Sequence, residues 1–443
     1  MTTAARHVDA LVIGAGAGGL LAAARLSHQG YRTLVVERLD RVGGRASSED
    51  IDGFTVNNGA IVIEVGGITE ETFTEVGARF DVRRPQPPLL YRIGGKDVDV
   101  TGGGWGFLLS KLTRQGAKLL GGLAAARGDG QHADGDGMPD DAMSTADWIR
   151  RYTSNENVHG IFRNMCGSVF AVSSEELPAR VFLTYFTRKS AFKKFGFCPE
   201  GTIGVWQALA DVVAGNGGEV WLDSEVRDLE LGEDGQITGA TIARPGEQVD
   251  VSCRFAVSDA GPAATADLVG RERLAADYVA TVDTTPCSMI VVNFASREPV
   301  TAAPGLLSFA KTRRLCYVAN FTATCPEMAP EGWHLYNGSS IPEPATGDFD
   351  EKSEIELLHQ DLRDQVPGFE GSRVLSTSVW RDGWPPQRAV AGSDIPHRTP
   401  IANLWNVGDA VKQYANGGTT ACAETAKLVV DEVTTRFPAT ARV

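Results

Sequence analysis

The stretch VDALVIGAGAGGLLAAARLSHQGYRTLVVE, residues 8–37, restricts the possible folds of this chain more than any other. Its apolar runs predict a strand from Val8 to Ile13, a helix from about Gly18 to Gln29 and a second strand from Thr33 to Val36, with Gly30 as the punctuation between them. That is a βαβ unit, and its turn carries Gly14-x-Gly16-x-x-Gly19. In such a turn the first glycine permits the tight bend, the second lets backbone approach a pyrophosphate, and the third lets helix and strand pack closely. The helix start then offers N–H groups and a positive dipole end to phosphate. Glu37 closes the second strand, where an acid accepts hydrogen bonds from a ribose, and Arg38 follows it in the same candidate site. A dinucleotide site explains all of these together, whereas a bland glycine-rich crossover explains only the turn.

Bulk properties narrow the partners. A chain of 443 residues exceeds the usual single-core size and predicts two domains. The formal net charge of -14 argues against nucleic acid. Seven cysteines without a C-x-x-C pair fit reduced thiols in a cytoplasmic protein, and no metal-site spacing is present. No apolar run approaches the roughly 20 residues of a membrane span, so the expectation is a soluble protein with at most peripheral membrane contact.

Immediately after the βαβ unit come Gly43-Gly44-Arg45 and then FTVNNGAIVIE, with Gly59 and Ala60. A second phosphate-facing glycine pair beside an arginine suits an extended cofactor. On these residues the chain resembles the superfamily of FAD-dependent amine oxidases and phytoene desaturases. The resemblance implies non-covalently bound FAD, with Gly59 and Ala60 passing beside the isoalloxazine edge. The structural alternatives are a surface turn at 43–44 and a simple strand bend at Gly59.

The middle of the chain is less specific. Residues 104–127 read as a mildly basic amphipathic helix, with either a domain face or a membrane surface as its partner. A Gly/Asp-rich loop follows, whose Asp129, Asp134, Asp136, Asp140 and Asp141 lack the spacing of a calcium loop. Residues 143–189 predict consecutive helices opened by Ser144 as N-cap. From Cys198 the pattern is turn, helix and strands, and the resemblance implies that the backbone at Val226 meets the adenine. AVSDAGPAATADLVG, residues 256–270, resembles phytoene desaturase-like members more than amine oxidases, although Asp259 and Pro262 also suit an ordinary turn. Residues 271–395 predict a sheet lining a cavity with one face, with Trp380 and Trp384 available to its wall.

The C-terminal stretch NLWNVGDAVKQYANGGTTACAETAKLV, residues 403–429, predicts a short strand, a loop and a helix. The resemblance implies that Gly408 and Asp409 meet the ribityl or pyrophosphate region, and that Gly417, Gly418, Thr419 and Thr420 bring a helix N-terminus to the ring. Such a terminus stabilises negative charge at flavin N1 and the C2 carbonyl. Tyr414 is the candidate catalytic residue and, with Trp384, a candidate for the substrate cavity; an ordinary loop aromatic is the alternative. Cys422 reads as a small buried thiol.

The expected architecture is α/β. A discontinuous Rossmann-type, glutathione reductase-like FAD-binding domain comprises residues 1–75, 198–270 and 396–443, and an α+β substrate-binding domain comprises 76–197 and 271–395. The implied reaction takes a hydride from a C–H bond of a largely apolar isoprenoid or alicyclic substrate to flavin N5 and forms a C=C bond. Oxygen, a quinone or another carrier then accepts the electrons. The chain is short for a long polyene tunnel, which favours a smaller, cyclic substrate. A flavin amine oxidase acting on a CH–NH bond and a flavin-dependent isomerase are the alternatives.

Overall fold

The computed structural model describes residues 6–99, 138–187 and 194–439. The helix expected at 104–127 and most of the Gly/Asp loop lie outside them. Strand β1 (Arg6–Ile13), helix α1 (Ala17–His28) and strand β2 (Thr33–Val36) form the expected unit, with Ala10 opposite Thr33 and Ile13 opposite Val36 in parallel register. The chain returns to this sheet twice. Glu219–Trp221 pairs parallel with β2, and the second half of Glu247–Ser258 pairs parallel with β1 on its other side. Leu404–Asn406 then adds a fifth parallel strand beside Ala256–Ser258. The first half of Glu247–Ser258 instead joins an antiparallel ladder with Ile237–Arg244 and Glu225–Leu231, which completes seven strands.

α1 is buried along nearly its whole length because it is sandwiched rather than amphipathic, and the C-terminal helix Gly418–Arg436 packs directly against it. Ala22, Ala23 and Ala24 are fully buried, and such small side chains allow close approach. Helix Gly201–Gly215 lies on its other flank and anchors the Gly43-Gly44 turn, since Trp206 Nε1 donates to the carbonyl of Ala46 at 2.7 Å.

The second sheet also has seven strands, in the order Arg373–Trp380, Met289–Ser296, His334–Ser340, Leu315–Asn320, Leu306–Phe309, Leu89–Ile93 and Lys96–Asp99. Met289–Ser296 is buried at all 8 positions because both faces are covered. Ile290, Val292 and Phe294 pack with Leu358 and Leu362 of helix Glu351–Gln365. Met289, Val291 and Ala295 face the opposite way, into a cluster with Phe162, Phe170 and Phe182 from helices Glu156–Phe170 and Ala179–Thr187. Ser144 caps helix Thr145–Arg150 as expected, accepting from the Asp147 N–H at 3.0 Å.

The third fingerprint glycine is the tightest point of the βαβ unit, since a Cβ on Gly19 would lie 2.1 Å from the Gly14 carbonyl oxygen. Relief requires the helix to move off the strand. Gly19→Ala is expected to lower stability by about 1–3 kcal/mol, measured by denaturant unfolding of protein stripped of cofactor; an unchanged midpoint would mean that the helix moves freely.

Candidate active site

Every parallel strand of the first sheet ends at the same edge, and the residues just beyond are locked side by side. Val407 N–H donates to the Ser258 carbonyl at 2.8 Å, Asp259 N–H to Ile13 at 2.7 Å, Gly14 N–H to Val36 at 2.8 Å and Glu37 N–H to Trp221 at 2.8 Å. Ligands of open α/β sheets bind beyond these carboxyl ends. A cavity of about 540 Å³ opens there and continues to the second sheet.

At one end the cavity wall contains Gly14, Gly16, Glu37, Arg38, Gly43, Gly44 and Val226. Gly14 has φ +96°, Gly43 +93° and Gly44 +52°, conformations that side chains rarely adopt. Gly43 N–H bonds the Ala15 carbonyl at 2.8 Å, so the two glycine turns form one continuous lip. Glu37 is buried and accepts from the N–H groups of Ala15 at 2.7 Å and Leu39 at 2.9 Å, which fixes its carboxylate at the strand end. Val226 sits at an irregularity of the antiparallel ladder, where the register shifts before Asp228.

The middle is built around an ion pair. Arg45 donates to Asp409 Oδ1 at 2.5 Å and to Oδ2 at 3.1 Å, and also reaches the Pro385 carbonyl at 3.1 Å. Asp409 Oδ2 further accepts from the Arg388 N–H at 2.9 Å. Burial opposes the charge on Asp409, yet Arg45, with help from Lys412 and Arg388, holds its carboxyl well below the usual carboxylate range. Gly59 lies against the same turn: a Cβ there would sit 1.6 Å from the Arg45 carbonyl oxygen, so no other residue fits. Ala60 is beside it in the wall.

At the far end, Gly417 starts the C-terminal helix without a capping side chain, and Gly418, Thr419 and Thr420 line the cavity. Gly418 has φ +61° and faces open space. Opposite them stand Ala171, Tyr185, Met289, Tyr317, Trp380 and Trp384.

Of the residues expected from sequence, Gly19 and Gly408 are not in the wall but shape it from behind: Gly408, at φ +107°, donates its N–H to Thr425 Oγ1 at 3.0 Å. Tyr414 is not among the residues lining the cavity. It is half-buried outside the cavity, packed against the aromatic cluster beneath the second sheet, because Ala415 and Asn416 turn the loop before the helix begins. Cys422 does line the cavity, and burial pushes its thiol well up, so it stays protonated. Sequence reasoning missed Arg388, Gln387, Tyr185, Met289 and Tyr317. Arg388 and Gln387 lie in an irregular stretch without periodicity, and the other three look like ordinary core positions.

The walls fit an extended diphosphate-bearing cofactor. Two helix N-termini open onto one cavity, positive-φ glycines clear the space beside them, and Arg388 Nε and Gln387 Oε1 are buried without hydrogen-bond partners among the described residues.

Comparison with known proteins agrees. Residues 17–434 match the family of flavin containing amine oxidoreductases, and the chain belongs to it. It is 28% identical over 279 residues to the neurosporene-forming phytoene desaturase of Rhodobacter capsulatus, a match covering 57% of this chain and 52% of that enzyme. The crystal structure of an oxidoreductase from Methanosarcina mazei superposes with a TM-score of 0.84 at 28% identity, over 96% of this chain and 100% of that one. Putrescine oxidase bound to putrescine superposes with a TM-score of 0.66 at 15% identity, over 98% and 100%, a likeness of fold. The protein is an FAD-dependent oxidoreductase. No helix among the described residues is long and apolar enough to cross a membrane.

Breaking a buried pair leaves a bare charge, so Asp409→Ala should destabilise the protein by about 3–5 kcal/mol. The double variant Asp409→Ala/Arg45→Met should recover part of that loss in denaturant unfolding. Simple additivity of the two single variants would show that the pair is not coupled.

Proposed function

We propose that this enzyme desaturates a C–C bond in a neutral, largely apolar substrate of isoprenoid or alicyclic type. The observation that carries the reading is the composition of the wall facing the C-terminal helix start. Tyr185, Met289, Tyr317, Trp380 and Trp384 line the cavity with Val169 and Ala171; no lysine or histidine lines it among the described residues, its carboxylates Glu37, Glu225, Asp259 and Asp409 belong to strand ends of the first sheet, and Glu64 is buried behind Thr420. An ammonium substrate would need an anion or a row of carbonyls for its charge. Lys412, the lysine that an amine oxidase reading would bring to the ring, is buried and absent from the cavity lining, donating to the carbonyls of Asp409 at 2.8 Å and Ala389 at 3.0 Å.

When bound, FAD supplies the two-electron acceptor for the hydride that leaves a C–H bond. The protein's own part is positioning. The aromatic side chains hold an apolar chain or ring in the cavity that the helix start at Gly417 also borders, whose N–H groups favour negative charge. The neighbouring proton must also leave for the double bond to close. Tyr317 is not its acceptor, for burial pushes that phenol up to about 12 and keeps it protonated at neutral pH. A wall without a base suits a substrate in which hydride loss leaves an allylic or ring-stabilised cation, acidic enough to give its proton to water. Oxygen, a quinone or another carrier then takes the electrons.

Two measurements test this. Under anaerobic conditions, a panel of neutral isoprenoids and alicyclic compounds should bleach the yellow absorption while primary amines leave it intact; the reverse pattern would exclude desaturation. Tyr317→Phe should change kcat by less than about tenfold, because a lost general base would remove a factor of ~10²–10⁴.

A further inference from the structure

The glycine corner already holds a negative group. Asp259, directly after the strand Glu247–Ser258, extends its carboxylate across the start of α1. A Cβ built on Gly16 would lie 2.4 Å from Asp259 Oδ2, and one on Gly18 or Gly408 would lie 2.7 or 2.6 Å from Oδ1. The Gly19 N–H is directed at the same carboxylate. These glycines therefore clear space for Asp259 as well as for a phosphate, and the positive end of the helix is shared between the two.

The charged and titratable neighbours of Asp259 come from four segments. The Gly43–Arg45 turn contributes Arg45, the strand end at 407–409 contributes Asp409, the stretch at 385–388 contributes Arg388, and the C-terminal helix contributes the protonated thiol of Cys422. Glu37, in the same wall, is held by the Ala15 and Leu39 N–H groups. α1 contributes backbone N–H groups alone. The Arg45 guanidinium is committed to Asp409, whereas that of Arg388 makes no ion pair among the described residues and its Nε has no hydrogen-bond partner there. The Arg388 side chain lies over Gly261, where a Cβ would meet its Cδ at 3.0 Å.

We propose that Asp259 is a resident anion of the diphosphate site, so that FAD binds with uptake of a proton by Asp259, while Arg388 supplies the counter-charge that remains. Burial raises the Asp259 carboxyl to about 7, against the Gly19 N–H and Arg45, so in the cofactor-free protein it titrates near neutrality. A diphosphate beside it raises it further. Between those two values the loaded protein holds more protons than the free one, and affinity for FAD falls as pH rises.

Holoprotein dialysed to equilibrium from about pH 6 to about pH 9, with free FAD read by its fluorescence, measures this linkage directly. Above about pH 7 the dissociation constant should rise by up to roughly tenfold per pH unit. Asp259→Asn should flatten that dependence and bind FAD more tightly than wild type at the alkaline end. Arg388→Gln should weaken binding at every pH. A wild-type dissociation constant independent of pH overturns the proposal even if neither variant folds, and so does a slope that persists in Asp259→Asn.

Discussion

The ion pair between Arg45 and Asp409 joins residues 364 positions apart, and the site is organised around it. It ties the turn after the first βαβ unit to the loop before the last helix. Each partner then fixes further backbone: Arg45 the carbonyls at 385–386, Asp409 the Arg388 N–H. Desolvation makes the pair expensive, and a hydrophobic replacement would serve stability as well. Its value lies in register, because it holds the turn at Arg45, the stretch at 385–388 and the loop at Asp409 together along one cavity.

Acids and arginines are interleaved along that cavity. In a chain of net charge -14, Arg38, Arg45 and Arg388 stand in the wall beside Glu37, Glu225, Asp259 and Asp409. Asp409 and Asp259 balance them in different ways. Asp409 is paired and stays ionised, while Asp259 is buried with partial compensation and sits near its titration point. Two carboxylates on neighbouring strand ends thus differ in state because one has a bidentate guanidinium and the other a single N–H and distant cations. Beyond them the wall turns apolar, and the second sheet supplies Met289, Tyr317 and Trp380 from three of its strands. Chemistry left to the cofactor needs little else from the protein than a shaped, largely apolar surface.

The glycine fingerprint, the Gly43-Gly44-Arg45 turn, Gly59 and the Gly417–Thr420 helix start were legible in the sequence because each answers a local backbone demand. Positive φ, close approach and an uncapped N-terminus all leave marks within a few residues. Loop sequence does not state which way a side chain points, so it left open that Tyr414 packs beside the cavity lining rather than in it. Arg388 and Asp259 carried no local signal that distinguishes a cofactor site from a turn.

By itself the sequence determined the βαβ corner, the glycine turns, the family likeness and the helix that closes the chain, since all of these follow from short-range periodicity and steric rules. Only the tertiary structure decided which charges meet. Arg45 finds Asp409, Asp259 enters the helix end, and Tyr185 and Tyr317 become cavity wall as well as core, because strands distant in sequence end at one sheet edge and because burial sets the protonation of what they bring there.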